Sequence, residues 1–553
     1  MPFSSIIATA FLYSQLALAV TIPQCSAPTA NTLNGTYYGV HNSFYNEDFF
    51  LGIPYAQPPI NNLRYRPAQP LNSSWSSPKN ATQYGYECVG YGLDTESQGN
   101  YVSEDCLTLN IIRPSGYEGK QLPVGVWIHG GGYVEGGSAD HRYNLSFIVQ
   151  NSADAGIPII GVGINYRLAG WGFLFSKELQ TEGAGNLGLR DQRLALQWIQ
   201  ENIARFGGDP AKVTIWGESA GAGSVGAQLV AYGGRDDKLF RAAIAESGAP
   251  TFFDRAQSLN QSQAVYDNVT RASNCSRAKD TLQCLRNVPF AVLNNVLNSS
   301  ATFPVIDGDF LKESPTLQLK AGKFVKVPFL IGANHDEGTS FGPRGINTTA
   351  QFRSWLQGYT TDNSSIDILA ALYPDIPEIG IPGTFHGRPG GDLGFQYKRT
   401  SALAGDYAMH ASRRLTNQAW AAQNITSYAY LFNVLVNGMP NTSGSTHFQE
   451  VAFMLDNTNG LGYPQNNLPN PFGGKPQSYL ELARLMTRMW ASFIYSGDPN
   501  NSGVPAATWP IYTLNDPQMF VFDANTTSSV EPDLYRAEGI AWMIKNMYTV
   551  FGR

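Results

Sequence analysis

The sequence predicts an α/β fold: a large, mostly parallel, doubly wound central sheet with helices on both faces and insertions. Three observations predict it. Apolar, β-branched runs alternate with helical stretches. One run, 157–166, is apolar throughout, as a strand buried on both faces should be. A turn of the form Gly-x-Ser-x-Gly, Gly217-Glu218-Ser219-Ala220-Gly221, directly follows Val213-Thr214-Ile215-Trp216 and precedes a small-residue helical stretch. Strand, Gly-x-Ser-x-Gly, helix is the pattern of a nucleophile elbow, which lifts a serine hydroxyl out of the sheet edge.

The elements follow in chain order. Residues 1–19 read as a secretory signal, an apolar stretch ending in Ala17-Leu18-Ala19, although the segment before it carries no Lys or Arg. Residues 20–553 read as a single catalytic domain, since no linker divides them. A strand at 122–128 ends in a glycine loop. Residues 191–206 form a helix with Leu194, Trp198, Ile199, Ile203 and Phe206 on one stripe, stopped by Gly207-Gly208-Asp209-Pro210. Strands follow at 213–216, 327–331 and 427–433. Residues 252–328 and the Pro/Gly-rich stretch 376–394 read as insertions.

Composition narrows the function classes. The 553 residues are 43% hydrophobic and carry a net charge of −6. That balance leaves no electrostatic footprint for nucleic acid. No stretch beyond the N-terminal one is long and apolar enough to span a bilayer, so no stable membrane association is expected. More than a dozen Asn-x-Ser/Thr sequons suit a glycosylated exported protein. They include Asn34, Asn72, Asn80, Asn144, Asn268, Asn274, Asn347, Asn363, Asn424, Asn441 and Asn525. Among five cysteines, Cys88 with Cys106 and Cys275 with Cys284 pair as local disulfides, and Cys25 is left over. The longer loop would contribute about 3 kcal/mol by the loop-entropy model. With no Cys-x-x-Cys and no histidine cluster, no metal is expected, and no cofactor either.

The chemistry-bearing groups lie just after strands, where sites form in such sheets. In Trp127-Ile128-His129-Gly130-Gly131-Gly132-Tyr133 a glycine run can aim several backbone N–H groups into one small space. Such donors, with the N–H of Ala220 after the serine, would stabilise an oxyanion. Downstream, Asp336 and Glu337 compete as the acid, and spacing does not choose between them. Of seven histidines, His129 reads as structural, His41 and His141 precede the serine, and His335 adjoins the acids. His386, His410 and His447 remain. His410 sits in a helical stretch, where packing would satisfy it. His386 lies in a Gly/Pro-rich loop. His447 follows a strand through a polar loop from which its imidazole could face Ser219.

These motifs resemble the type-B carboxylesterase/lipase family, which includes cholinesterases and fungal lipases. The resemblance runs through Gly52-Ile53-Pro54-Tyr55-Ala56, Arg64-Tyr65-Arg66-Pro67 and Ser103-Glu104-Asp105-Cys106-Leu107-Thr108-Leu109-Asn110. It continues through the glycine loop, Asn165-Tyr166-Arg167, 186–193, 206–210, the elbow, Asp336-Glu337-Gly338 and His447-x-x-Glu450. It implies the α/β-hydrolase fold, with Ser219 as nucleophile, Glu337 as acid and His447 as base. It implies Gly131, Gly132 and Ala220 as oxyanion donors and both disulfides. It further implies structural ion pairs Arg66–Glu104 and Arg167–Asp191. The chain departs from the family at Phe448 and Gln449, which replace smaller residues.

A secreted serine hydrolase of carboxylic esters is therefore expected, working through an acyl-enzyme on a small-molecule ester. The segment between Cys88 and Cys106, which forms a long lid in family lipases, is short and polar here. Such a flap has little apolar surface to dock on lipid, which favours soluble or short-to-medium acyl esters. A triacylglycerol lipase is the alternative. The segment holds no Trp of the kind that binds choline in cholinesterases by cation–π contact; Tyr91 or Tyr101 could substitute. Two other classes compete. Gly221-x-Gly223-x-x-Gly226, with Glu246 about twenty residues on, matches a dinucleotide-binding pattern. A cholinesterase-like binding protein without catalysis is the other, although this chain keeps every required group.

Overall fold

The computed structural model describes residues 27–97, 99–300 and 302–553. The expected signal at 1–19 and Cys25 lie outside the described residues. Eleven strands form one sheet. They are β1 Val40–Asn42, β2 Glu47–Pro54, β3 Thr108–Pro114, β4 Leu122–Ile128, β5 Ile160–Ile164 and β6 Gly208–Glu218. They continue with β7 Ala242–Glu246, β8 Phe329–Asn334, β9 Ser427–Phe432, β10 Gln518–Phe522 and β11 Ser529–Pro532. The spatial order is β11-β10-β9-β8-β7-β6-β4-β5-β3-β2-β1. Every pair from β10 through β5 is parallel, and both margins are antiparallel. After β4 the chain steps to one side as β5 and then crosses back to place β6 on the other. The loops leaving β4 and β6 therefore part at this switch, where α/β sheets open a crevice.

Strand periodicity sorts the core into two layers. Val124, Val126, Ile128, Val213, Ile215, Ala243 and Ile331 face one side. Trp127, Trp216, Ile244, Leu330 and Tyr430 face the other. Four helices cover these faces: α1 Ser146–Asp154, α2 Leu187–Asn202, α3 Ala220–Gly234 and α4 Gln477–Ser496. Leu196 and Ile199 of α2 and Val225 and Leu229 of α3 pack on the first layer. Ile148 of α1 and Met486, Trp490 and Ile494 of α4 pack on the second. Each such side chain, fully buried, contributes about 1.5–3 kcal/mol.

The expected elements are present with moved ends. The helix expected at 191–206 begins at Leu187, after Asn186 in the left-handed region, and tightens to a 3-10 turn over Ile203–Phe206. Gly207, at φ 86°, stops it. The strand expected at 213–216 extends back to Gly208 through a register shift against β4. Insertion 252–328 contains helices Leu259–Ala272, Thr281–Asn287 and Phe290–Leu297.

The disulfides Cys88–Cys106 and Cys275–Cys284 join the expected partners. One expected ion pair is corrected. Glu104 pairs with Arg64, not Arg66, through two 2.7 Å contacts. Tyr65 takes a left-handed conformation that turns Arg64 inward and Arg66 outward. Arg64 also donates to the carbonyls of Leu285, Arg286 and Val288, whereas Arg66 reaches Glu182 at 3.1 Å. Arg167 pairs with Asp191, with both side chains buried.

Backbone segments approach closely at the elbow. A Cβ on Gly221 would lie 2.0 Å from the Ile128 carbonyl oxygen, and one on Gly217 would lie 2.5 Å from it. Gly221→Ala must separate α3 from the end of β4 and should cost about 3 kcal/mol or more. Gly119→Ala, where a Cβ meets nothing within 4 Å, is the control. Urea unfolding of both variants reads the difference; equal stabilities would contradict the steric account.

Candidate active site

Ser219 sits between β6 and α3 at φ 55°, ψ −121°, a conformation that side chains rarely adopt. Its backbone is pinned on both sides: its N–H donates to Glu246 O at 2.9 Å, and its carbonyl accepts from Gly223 N–H at 2.9 Å. The turn thereby holds the hydroxyl at the wall of a cavity. His447, in the loop after β9, places Nε2 2.9 Å from Ser219 Oγ and Nδ1 2.7 Å from Glu337 Oε2. Glu337 is fully buried, and its second oxygen accepts from Asn334 N–H at 2.9 Å. A hydroxyl, an imidazole and a carboxylate thus form one hydrogen-bonded line. Such a line can take a proton from the hydroxyl as it attacks and hold the resulting imidazolium.

The carboxyl left in competition with Glu337 is turned elsewhere. Asp336 accepts from Ser445 N–H at 2.8 Å and contacts His335 Nδ1 at 2.8 Å, so it braces the loop that carries His447. His410 is buried in a π-helical turn, Asp406–His410, with Nδ1 2.9 Å from the Tyr535 hydroxyl. His129 is buried and stacked on Tyr166, and its pKa is pushed down to about 4 by burial. His386 is exposed. Among the described residues, His447 is the histidine that hydrogen-bonds the serine.

The glycine loop lies alongside. Gly131 (φ 93°) and Gly132 (φ 62°) have left-handed backbones, and a Cβ on Gly131 would lie 2.3 Å from Glu135 O. The Gly131 carbonyl accepts from Val134 and Glu135 N–H, which closes the loop into a tight turn. Gly132 and Ala220 line the cavity beside Ser219, and Ala220 opens helix α3, whose N-terminus favours negative charge.

The sequence did not single out a layer of buried carboxyls behind this line. Glu218 Oε1 is 3.3 Å from His447 Nε2. Glu450 accepts from Ser247 Oγ at 2.9 Å and Asn334 Nδ2 at 2.5 Å, and Glu246 accepts from Trp490 Nε1 at 2.8 Å. Burial pushes Glu218 and Glu246 well above the ordinary carboxyl range and Glu450 up to about 7. Burial also disfavours the His447 imidazolium, but Glu337 and Glu218 outweigh that cost and hold its pKa above the ordinary histidine value. The available signal was positional: Glu218 and Glu246 end neighbouring parallel strands, so both meet the region where His447 arrives.

The cavity measures about 460 Å³. Its wall is largely apolar, with Phe252, Phe253, Phe303, Phe341 and Met409, and it has a polar end at Asp254 and Arg255. The Phe341 ring meets the His447 ring edge to face at 4.9 Å. No described residue between Cys88 and Cys106 is among those lining it. Tyr91 instead accepts from Trp171 Nε1 and donates to Asn294, and Tyr101 is exposed, so neither forms a cation platform in the cavity. The glycines of the dinucleotide-like pattern are used for packing: a Cβ on Gly226 would lie 2.4 Å from Pro250 Cα. No group of three or more metal-ligating side chains occurs among the described residues. Of the named sequon asparagines, Asn34 and Asn144 are half-buried and the others are exposed.

Comparison with known proteins agrees with this architecture. A secreted lipase 1 from Botryotinia fuckeliana (strain B05.10) is 34% identical, covering 99% of this chain and 98% of its own. Lipase 4 from Diutina rugosa is 35% identical over 90% of this chain and 92% of its own. The crystal structure of EstA from Aspergillus niger superposes with a TM-score of 0.81 at 27% identity, over 96% of this chain and 99% of that one. The family model described as the carboxylesterase family matches residues 22–539, a span that contains the whole of this sheet and site. The chain belongs to the carboxylesterase family.

Proposed function

We propose that this protein is a secreted serine hydrolase of carboxylic esters in which Ser219, His447 and Glu337 carry the reaction. The observation that supports it most is the continuous hydrogen-bonded line Ser219–His447–Glu337 opening on an apolar cavity. Neutral His447 takes the Ser219 proton as Oγ attacks the ester carbonyl. Glu337 fixes the imidazole tautomer, with the proton on Nδ1, and stabilises the imidazolium. The N–H groups of Gly131, Gly132 and Ala220 receive the oxyanion. The imidazolium then protonates the departing alcohol, and water, activated by the same imidazole, hydrolyses the acyl-enzyme.

Export fits relatives named as secreted, two disulfides and surface sequons. We place the signal at residues 1–19 and one catalytic domain after it, with glycans on the named asparagines. No helix among the described residues is long and apolar enough to cross a membrane. For substrate, we favour soluble or short-to-medium acyl esters. The Cys88–Cys106 flap is short, forms none of the described cavity wall, and is tied down through Asp94 to Arg142 and Glu135. A triacylglycerol lipase is the second reading. It is supported by relatives named lipases and by Leu93, Tyr101 and Val102, which stand exposed on the flap.

Hydrolysis of p-nitrophenyl esters from C2 to C16 tests both readings. Ser219→Ala should lower kcat by about ten-thousand- to a million-fold while leaving the fold intact. An optimum at short or medium chains supports the esterase; an optimum at C12 or longer, rising at an emulsion interface, makes it a lipase. Retained turnover in the alanine variant would overturn the assignment of Ser219.

The pH dependence follows from the carboxyls around His447. A base whose pKa is raised stays protonated, and so inactive, to higher pH. The acid limb of kcat/KM should therefore lie above the ordinary histidine value of about 6.5. Glu218→Gln removes one of the groups that raise it and should move the limb to lower pH. A limb that is unmoved, or a profile flat from pH 4 to 8, would contradict the account.

A further inference from the structure

Phe448 directly follows His447 and stands at φ 75°, in the left-handed region where a large side chain is rarely found. Nothing in the proton-transfer line uses it. A residue held in such a conformation needs surroundings that over-determine it, and these cluster at functional sites. Here the surroundings are identifiable. The Arg142 guanidinium carbon lies 4.8 Å from the centre of the Phe448 ring, and Tyr143 meets the same ring at 6.2 Å, edge to face. Arg142 is itself buried and held by two carboxylates: Asp140 at 2.6 Å, on its own turn, and Asp94 at 2.7 Å. Asp94 belongs to the short flap helix Leu93–Ser97 between Cys88 and Cys106, and its N–H donates to Glu135 Oε2 at 2.8 Å. A chain of contacts therefore runs from the flap, through Asp94 and Arg142, to the ring beside the imidazole.

We propose that Phe448 is a positioning residue for His447, and that the contacts Asp94–Arg142–Phe448 couple the seating of the Cys88–Cys106 flap to the alignment of the imidazole with Ser219. The proposal rests on His447 being the base. Its physical basis is that Asp336 and Asn334 hold the loop at Ser445 and Thr446, on the N-terminal side of His447, while Phe448 sets the backbone on the C-terminal side. Clamping the Phe448 ring fixes that residue's φ and with it the 2.9 Å reach of Nε2 to Ser219. The cation–π contact is directional and desolvated, and the buried Arg142 cation stays in place only while its carboxylates do. A flap that lifts removes Asp94 from Arg142 and loosens the clamp. Ester turnover is then fastest when the flap is seated.

The test measures p-nitrophenyl butyrate hydrolysis with thermal unfolding alongside. Phe448→Ala should lower kcat about 10- to 100-fold, the cost of a small misplacement of a catalytic group, with KM within about two-fold. Phe448→Tyr keeps the ring and should recover most of that loss. Asp94→Asn should lower kcat several-fold; Asp140 remains on Arg142, so the variant should still fold, with a melting temperature lowered by a few degrees. Combined with Phe448→Ala it should add little, because both act through one contact chain. If Phe448→Ala does not fold, Phe448→Gly, which relieves the left-handed backbone but lacks the ring, should show the same kcat loss. Wild-type kcat in Phe448→Ala or Phe448→Gly overturns the positioning role. Full additivity with Asp94→Asn, or wild-type kcat in Asp94→Asn, overturns the coupling to the flap. An active His447→Ala would overturn the assignment of the base and is distinct from both outcomes.

Discussion

The structure depends on how closely β4, β6 and α3 approach one another. The Ile128 carbonyl occupies the space where side chains at 217 and 221 would be, so both positions are glycine. That contact allows the chain to reverse within one residue and leaves Ser219 in an unfavourable conformation worth about 1–3 kcal/mol. The surrounding strands and α3 hold that conformation, because the hydrogen bonds of Ser219 to Glu246 and Gly223 belong to elements fixed by the core. The glycine loop leaves β4 at the same level. The proposed oxyanion donors and the hydroxyl thus share one origin in the sheet's switch point.

Behind the reacting groups, the protein buries more carboxyl groups than the chemistry uses. Glu337 meets the imidazole directly, while Glu218, Glu246 and Glu450 lie behind it at the ends of β6 and β7 and in the His447 loop. Uncompensated burial of charge is costly, and Glu218, Glu246 and Glu450 respond by holding their protons to higher pH. His447 gains proton affinity from Glu337 first, and from Glu218 and Glu450 to the extent that they are ionised. Its proton affinity is a property of the cluster as much as of its contact with Glu337.

The flap and most of the cavity wall are separate parts of the structure. Much of the cavity wall is drawn from segments around 250–257, 303–315 and 404–409, remote in sequence from the flap. The aromatic wall and the polar end at Asp254 and Arg255 line the space beside Ser219. The flap meets the site from the other side, through Arg142 and the ring of Phe448. Its exposed Leu93, Tyr101 and Val102 show that a segment polar in composition can still present apolar side chains outward.

By itself the sequence determined the alternating α/β architecture, the elbow serine and the glycine loop. Each rests on local physics: period-two and helical spacing of apolar residues, and positions where backbone approach forbids a Cβ. It reached Glu337 and His447 only through family resemblance, because the loops after β8 and β9 can aim a side chain many ways. Tertiary structure decided which carboxyl turns inward, sending Glu337 to His447 and Asp336 to Ser445. It likewise decided which arginine meets Glu104, since the left-handed turn at Tyr65 exchanges Arg64 for Arg66. It alone revealed Glu218 beside the imidazole and Arg142 beneath Phe448. Those contacts join residues 229 and 306 positions apart in the chain, and only the packed sheet brings such distant segments to one point.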